Sequence, residues 1–306
     1  MKKLLIYTII SIISLTSNNV FAQPGFLDPT FGTDGLAGSS IIAGCHSSAL
    51  QNDGKIIIVG EFSAFVIERY NTDGALDESF GINGRVTIPF YGNSDAATGV
   101  VVDQNNNILV SGYRVKNSIT NIDIVLVKLK PNGIIDSAYG KDGISSLSID
   151  KLNYTTGMLQ QHDGKIIIYG QLMKNEYDMK RIFIARFNPD GSIDSTFGED
   201  GHVITKFDDY VTCVSAALLE DGKILVGGTL DLSLIRPAYY VARYNTDGSK
   251  DNSFGDKGIT SYTFEGQGSE EWDNELHAIA VQPDGKIICG GKQGDFVNFT
   301  YDMGLV

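Results

Sequence analysis

Residues 265–277 form the least repetitive stretch of this 306-residue chain, and they concentrate side chains that could bind a ligand. The candidate ligand-binding residues of this stretch, with one histidine from near the N-terminus, are Glu271, Trp272, Asp273, Glu275, His277 and His46. Two histidines beside a carboxylate can bind a metal ion. Trp272, the only tryptophan, can stack on a sugar or on an aromatic ring of a peptide. The alternative interpretation is an acidic, solvated loop with two histidines beside it.

A second set of polar residues, Asn71, Asp73 and Asp77, suggests calcium at first sight. The set has too few carboxylates for a calcium-binding loop of the Asp-x-Asn-x-Asn-Gly type, and it lacks the terminal glutamate of such loops. Asn and Asp also stabilise turns without any metal. We therefore predict turns here and no cofactor, with calcium as the alternative.

Local catalytic motifs are absent from the sequence. It contains no Gly-x-Ser-x-Gly, no His-Glu-x-x-His and no phosphate-binding loop. Our first hypothesis is a protein that is not an enzyme. An enzyme whose carboxylates come from separate repeats would leave no such motif, so catalysis remains the alternative.

The first 22 residues have the features of a secretory signal peptide. A basic start, Met1-Lys2-Lys3, precedes a mostly apolar run from Leu4 to Thr16, and Val20-Phe21-Ala22 resembles a cleavage site. The sequence thus predicts a signal peptide over residues 1–22 and one secreted domain over residues 23–306. We expect the mature protein in the periplasm, outside the cell or on its surface.

The formal net charge is −13, and removal of Lys2 and Lys3 makes it −15. Such a surface repels nucleic acid and anionic lipid, so we expect neither nucleic-acid binding nor membrane insertion.

Three cysteines, Cys45, Cys213 and Cys289, are interpreted as small core residues rather than disulfide partners.

One phrase recurs five times and indicates stacked repeats. Asp-Gly-Lys, an apolar run and a glycine occur in four clear copies, and a degenerate copy stands second; the copies, numbered here as units 1 to 5, are 53–60, 105–112, 163–170, 221–228 and 284–291. Starts separated by 52 to 63 residues are typical of repeated supersecondary units.

Each unit is predicted to contain four short antiparallel strands. In unit 2 these are 97–103, 108–113, 123–130 and 144–148, all rich in β-branched and apolar residues and bounded by Gly or Asn. Asp-Gly between the first two strands favours a tight hairpin, because both residues tolerate positive φ. Five such units predict an all-β, single five-bladed β-propeller.

A second phrase, Arg69-Tyr70-Asn71-x-Asp73-Gly74 continuing to Phe80-Gly81, follows the third strand and also recurs. Together the two phrases resemble the delta-60 repeat family of secreted bacterial proteins. The resemblance covers nearly the whole mature chain and implies a β-propeller, but no known activity. The arginine of this phrase is expected to pair with aspartates or to cover apolar surface. The aromatic residues at one repeat position, expected to fill gaps between blades, are Phe31, Phe80, Tyr139, Phe197 and Phe254.

The two ends carry complementary halves of one repeat, which predicts a closed ring. Residues 25–32 match only the second phrase, and residues 296–301 match only the strand before it. We expect 36–40 to complete the last blade and to remove its exposed edge. Small residues before each hairpin are expected to line the central channel, and they are Ser47, Gly99, Gly157, Ser215 and Ala278.

The loops at the two ends of the strands differ in how closely they repeat. The hairpins and the second phrases are similar in every unit, whereas the connections 115–122, 172–180, 229–237 and 266–275 vary. Variable loops on a rigid scaffold commonly carry binding sites. We therefore predict a protein or a glycan as partner, bound on the variable face. The alternatives are a carbohydrate-active hydrolase or lyase that uses carboxylates at the channel mouth, and a purely structural module.

Overall fold

The computed structural model describes residues 26–40, 42–90, 94–116, 121–173, 180–232, 236–264, 274–295 and 300–305. These residues form strands and turns but no helix, and hence no helix able to span a bilayer. The predicted signal peptide, residues 1–22, lies outside the described residues. All-β structure, as predicted, follows from short β-branched runs separated by Gly and Asn turns.

Five consecutive antiparallel sheets follow one another along the chain, one for each unit. Sheet 1 contains β1 (Gly44–Leu50), β2 (Ile56–Glu61), β3 (Phe65–Tyr70) and β4 (Arg85–Ile88). Sheet 2 contains β5 (Ala96–Val102), β6 (Ile108–Val115), β7 (Ile122–Leu129) and β8 (Ile144–Leu147). Sheet 3 contains β9 (Leu152–Gln160), β10 (Ile166–Met173), β11 (Arg181–Phe187) and β12 (His202–Lys206).

The last two sheets depart slightly from this plan. Sheet 4 contains β13 (Tyr210–Val211), β14 (Ser215–Leu218), β15 (Ile224–Leu232), β16 (Arg236–Tyr244) and β17 (Ile259–Tyr262). Both β13 and β14 pair with β15, so together they are one interrupted first strand. Sheet 5 contains β18 (Glu275–Val281), β19 (Ile287–Asp295) and β20 (Thr300–Leu305).

Consecutive sheets pack face to face and bury a hydrophobic cluster between each pair. Ile57 and Phe65 of sheet 1, for example, share a cluster with Val110 and Val125 of sheet 2, and all four side chains are fully buried. Contacts between neighbouring sheets run through their first strands, β1 to β5, β5 to β9, β9 to β14 and β14 to β18. The first strand is therefore the innermost of each sheet.

Three of the five aromatic side chains at the shared repeat position fill gaps between units, as predicted, whereas Phe31 and Phe254 are only partly buried. Phe80 and Phe197 are fully buried and Tyr139 nearly so. Each lies against the turn glycine of the next unit: a Cβ added to Gly133, for instance, would stand 3.0 Å from the Phe80 ring. The second phrase of one unit thus links it to the next.

The ring closure predicted for 36–40 is not seen. Among the described residues, 36–40 form no strand, and sheet 5 consists of β18, β19 and β20 alone. The N-terminal phrase instead contacts sheet 1, where Gly32 N donates to Asp73 O (2.6 Å) and an Arg85 nitrogen donates to Ser40 Oγ (3.2 Å). The second phrases of units 1, 2 and 3 make the same contact with the turn of the next unit, through the backbone nitrogens of Gly81, Gly140 and Gly198.

Two cysteines are buried, as predicted, but Cys45 is exposed, and all three are free thiols. Cys213 occupies the equivalent position in unit 4, where Tyr169 of sheet 3 and Tyr240 of its own sheet cover it. Cys45 belongs to the first sheet, and no preceding sheet packs over it among the described residues. The prediction of a core role for Cys45 was therefore wrong, because repeat position alone does not determine burial at the start of the array.

Candidate functional site

The hairpin face carries the same ionic network in units 1, 3 and 4. In unit 1, Lys55 Nζ and Arg69 Nε both donate to Asp77 Oδ2, at 2.7 and 2.8 Å. The other carboxylate oxygen of Asp77 accepts from the backbone and hydroxyl of Ser79. The equivalent residues are Lys165, Arg186, Asp194 and Thr196 in unit 3, and Lys223, Arg243, Asp251 and Ser253 in unit 4.

This network is built for stability. Burial raises the pKa of Asp77, but hydrogen bonds from Lys55 and Ser79 and the charge of Arg69 outweigh burial and hold that pKa well below its usual range. The Arg69 guanidinium also lies 4.7 Å from the Phe80 ring centroid. Because both oxygens of the Asp77 carboxylate accept hydrogen bonds from inside the protein, we assign the network to architecture.

The Asp-Gly hairpins that carry the lysines are also structural. Gly164 has φ of +83°, whereas Asp163 keeps negative φ and accepts a hydrogen bond from Lys165 N at Oδ1 (3.1 Å). Of the two residues only the glycine has positive φ, as predicted. The aspartate contributes through its side chain.

The opposite face is organised by a bulge in each innermost strand. The strand register shifts around His46 in β1, Thr98 in β5 and His277 in β18, and Thr156 of β9 is likewise unpaired. Sheet 4 is interrupted at the same place, between β13 and β14. A bulge turns one residue away from the ladder and re-aims its side chain. These positions lie at the variable-face end of the innermost strands.

The last glycine of each repeated phrase stands opposite this bulge. A Cβ added to Gly60 would lie 2.0 Å from Gly44 O, and one added to Gly170 would lie 2.0 Å from Tyr154 O. Close approach of two backbones excludes any side chain there. The residue after that glycine faces the variable end and differs in every unit: Glu61, Tyr113, Gln171, Thr229 and Lys292.

Two pairs of side chains lie at the variable-face end of sheets 1 to 3. His46 Nε2 lies 3.7 Å from Glu61 Oε2, and both side chains are 40% exposed. The rings of Tyr113 and Tyr154 meet edge to face, with centroids 5.2 Å apart. Desolvation and the negative charge of Glu61, with smaller effects of Tyr154 and Asp95, raise the pKa of Tyr113. The charge of Glu61 therefore acts on Tyr113, and we name His46, Glu61, Tyr113 and Tyr154 the His-Glu-Tyr site.

Unit 2, which contains Tyr113, also contains two buried aspartates. Asp95 is fully buried and accepts a hydrogen bond from Val115 N (2.8 Å). Asp123 is also buried and is paired with Arg114 (3.2 Å) and Lys116 (2.8 Å). Of the two carboxylates whose charge reaches Tyr113, Glu61 is accessible and Asp95 is not.

The structure places some of the sequence-predicted residues and leaves others undescribed. His46 belongs to the His-Glu-Tyr site. Glu275 and His277 lie exposed on β18 in sheet 5, while Glu271, Trp272 and Asp273 lie outside the described residues. In the described part of the chain, no group of three or more His, Cys, Asp or Glu side chains could hold a metal ion.

Sequence reasoning missed Glu61, Tyr113 and Tyr154. A signal for two of them existed, because the residue after the shared glycine differs in every repeat. Tyr154 carries no such signal and enters the site only because sheets 2 and 3 pack together.

A comparison with known protein families matches three of these units. A family model described as a domain of unknown function (DUF5122) beta-propeller matches residues 51–80, 161–197 and 219–254, which run from hairpin to second phrase in units 1, 3 and 4. The chain is a β-propeller. The narrower resemblance to the delta-60 repeat family stays a prediction, and no curated protein sequence matches the chain.

Solved structures with similar folds have little sequence in common with this propeller. A protein of unknown function from Bacteroides caccae is 12% identical over 83% of this chain and 73% of its own, with a TM-score of 0.45. A PQQ-bound aldose sugar dehydrogenase from Streptomyces coelicolor is 10% identical over 89% and 84%, with a TM-score of 0.49. A gluconolactonase from Xanthomonas campestris is 12% identical over 82% and 72%, with a TM-score of 0.43.

Proposed function

We propose that this protein is a secreted, non-enzymatic β-propeller that binds a glycan through its variable face, with the His-Glu-Tyr site at the centre of contact. The observation that carries the proposal is the half-buried Tyr113–Tyr154 pair beside the accessible Glu61 and His46. Secretion is inferred from the sequence of residues 1–22.

The chemistry of these four side chains suits a sugar. A sugar ring offers apolar C–H faces and hydroxyl groups that both donate and accept hydrogen bonds. Aromatic rings fixed by an edge-to-face contact provide a rigid apolar platform at low entropic cost. The Glu61 carboxylate accepts from hydroxyls, and the His46 imidazole can donate or accept. A protein ligand could use the same platform, and that outcome is part of the test below.

A closed ring would extend the site. We propose that the first and last blades adjoin in the mature protein, through pairing of the terminal half-repeats, as the sequence predicts. His46 and His277 occupy the same bulge in the two end sheets, so closure would place them around one channel mouth. Trp272 and the neighbouring acidic residues would then flank the glycan. Small-angle X-ray scattering tests closure, because an open array is longer than a ring.

A carbohydrate-active enzyme is the second candidate. Hydrolysis by the usual mechanism needs two carboxyl groups on either side of the scissile bond. Glu61 supplies one, and the nearby Asp95 is buried and held by Val115 N. This arrangement favours binding over hydrolysis.

The test is a glycan array followed by isothermal titration calorimetry on the best ligand. Tyr113→Ala and Tyr154→Ala should each weaken binding by about tenfold or more, since aromatic anchors dominate such contacts. Tyr262→Ala is the matched control, because Tyr262 is an exposed tyrosine on the outer strand of sheet 4. Glu61→Gln and His46→Ala should have smaller effects, and EDTA should have none.

Three outcomes would contradict the proposal. Unchanged binding by both tyrosine variants would remove the His-Glu-Tyr site. Binding only to surface proteins would replace the glycan by a protein partner. Release of new reducing ends during incubation with the glycan, lost in Glu61→Gln, would favour the enzyme.

A further inference from the structure

Unit 2 lacks the ionic network of units 1, 3 and 4. Asn107 stands where those units have lysine, and Lys128 stands where they have arginine. The aspartate of the second phrase is still present as Asp136, but its carboxylate accepts only a long hydrogen bond from Ala138 N (3.4 Å) among the described residues. The degenerate copy of the repeat has therefore lost the contacts that the other copies share.

A different carboxylate replaces the missing one. Asp103, on the hairpin of unit 2, accepts from the backbone of Asn105 (2.8 Å) and Asn107 (2.9 Å) and from Asn107 Nδ2 (2.9 Å). Its Oδ2 lies 3.6 Å from Lys128 Nζ, compared with the 2.7 to 2.9 Å lysine–aspartate distances of the intact networks. The Lys128 ammonium group is thus attracted to Asp103 without a hydrogen bond.

The arginine bridge from one unit to the next is absent between units 2 and 3. Arg69 donates across to the carbonyl oxygen of Pro131 in the next unit, and Arg186 does the same to Thr246. The equivalent carbonyl for unit 2 belongs to Pro189. Lysine is shorter than arginine and carries a single nitrogen, so it does not reproduce this bridge.

A cavity of about 490 Å³ lies at this point, between the hairpins of units 2 and 3. Its principal lining residues are Asp103, Gln104, Lys128, Gln160, His162 and Pro189. Two other cavities, of about 580 and 440 Å³, lie at repeat-equivalent places on the outer side, beside Gly198 and Gly32. Those two follow from the geometry of the repeat, whereas the cavity at unit 2 follows from its departure from the repeat.

The lining of the unit 2 cavity has a defined chemistry. Amide, imidazole, carboxylate and ammonium groups surround it, and the Leu109 and Pro189 side chains add apolar surface. The Oε1 atom of Gln161, in its wall, is buried without a hydrogen-bond partner, which costs free energy that a ligand hydroxyl could recover. In unit 1 the equivalent Gln51 Oε1 accepts from Arg69.

Charge excludes several ligand classes. Asp103 and Asp163 outnumber Lys128 in the lining, and the whole chain carries −13, so anions are repelled. Lys128 in turn opposes a cation. We propose that this cavity binds a small neutral saccharide, whose hydroxyl groups both donate and accept, at a site on the hairpin face that is separate from the His-Glu-Tyr site. Its volume is within the range of small-molecule sites.

The experiment restores the repeat and asks whether binding is lost. In the double variant Asn107→Lys with Lys128→Arg, the new lysine can pair with Asp136 and the new arginine can bridge to Pro189, which closes the cavity. The probes are glucose, galactose, mannose, N-acetylglucosamine and their disaccharides, titrated into the full chain by calorimetry. The restored variant should bind the best saccharide at least about tenfold more weakly, a readily measured difference.

Two further variants separate this site from the other. His162→Ala removes an exposed side chain of the wall and should also weaken binding, while a thermal melt checks that both variants are folded. The titrations are repeated in the Tyr154→Ala background, which weakens the variable-face site, so that saccharide bound in the cavity is distinguished from saccharide bound at the His-Glu-Tyr site and the two sites can fail independently. The proposal would be overturned if none of the saccharides bound. It would also be overturned if the restored variant and His162→Ala both bound the saccharide as tightly as the wild type does.

Discussion

Units 2 and 3 are neighbours with equivalent strands, but their lysine, arginine and aspartate side chains make different ion pairs. In unit 3, Lys165 and Arg186 converge on one oxygen of Asp194, and Arg186 continues to a carbonyl of the next unit. In unit 2, Lys128 is attracted to Asp103 on its own hairpin and links nothing. The strands do not need the network to form. In units 1 and 3 its arginine also bridges to the next unit, and a polar cavity lies between units 2 and 3, where that bridge is missing.

Acid should have the largest effect, because it acts on units 1, 3 and 4 together. In unit 3, burial raises the pKa of Asp194, but Lys165 and Thr196 hydrogen bonds outweigh it and hold the pKa well below the usual range. In unit 4, hydrogen bonds from Ser253 and Lys223 lower the pKa of Asp251. A carboxylate with a lowered folded-state pKa stabilises the fold above about pH 4 and loses that contribution as pH falls further.

We therefore expect the free energy of unfolding, measured by urea titration, to fall steeply below about pH 4. Hydrogen exchange at acid pH should show units 1, 3 and 4 losing protection while unit 2 changes least. Uniform loss across all units would contradict the difference between them.

Removing one aspartate should have the next largest effect. Asp194→Ala leaves the buried Arg186 and the partly buried Lys165 without their shared acceptor, so it should cost about 3 kcal/mol in the free energy of unfolding. The matched control is Asp136→Ala in unit 2, which should cost less than about 1 kcal/mol, because that carboxylate accepts only one long hydrogen bond. Similar costs for the two variants would mean that the network of unit 3 adds no stability.

The hairpin turns offer a smaller test. Gly164→Val should cost about 1–3 kcal/mol, because valine is strained at a φ of +83°, although the nearest side-chain atom, in Pro189, is 3.4 Å from the new Cβ. In unit 2 the same position is Asn106, at φ of +62°, a conformation that asparagine tolerates. Asn106→Gly should thus change stability by less than about 1 kcal/mol. Thermal melts of the two variants check this, and a large effect of Asn106→Gly would show that its contacts with unit 1 dominate.

The single change Lys128→Arg should have the smallest effect. The new guanidinium can reach the Pro189 carbonyl, but without a lysine at position 107 it rebuilds only part of the network. One added hydrogen bond should raise the free energy of unfolding by at most about 1 kcal/mol. Urea unfolding measures the change, and a gain comparable with the loss in Asp194→Ala would show that arginine alone makes the link.

The sequence was sufficient where the repeats agree. Strand positions, hairpin glycines, buried aromatics such as Phe80 and the arginine–aspartate pairing were all predicted, since each depends on contacts inside one unit or between one unit and the next. Because the pattern occurs five times, the same local contacts can be inferred from several copies. The β-propeller fold follows from that repetition.

Tertiary structure decided the rest, where residues at one repeat position meet different neighbours. Cys45 and Cys213 are equivalent in sequence, but only Cys213 is covered by a preceding sheet. Tyr113 and Tyr154 belong to different units and meet because sheets 2 and 3 pack together. The cavity at Lys128 exists because a shorter side chain fails to reach the next unit. A one-dimensional pattern specifies what each unit contains, whereas exposure and cavities depend on distances between units, which only the folded chain fixes.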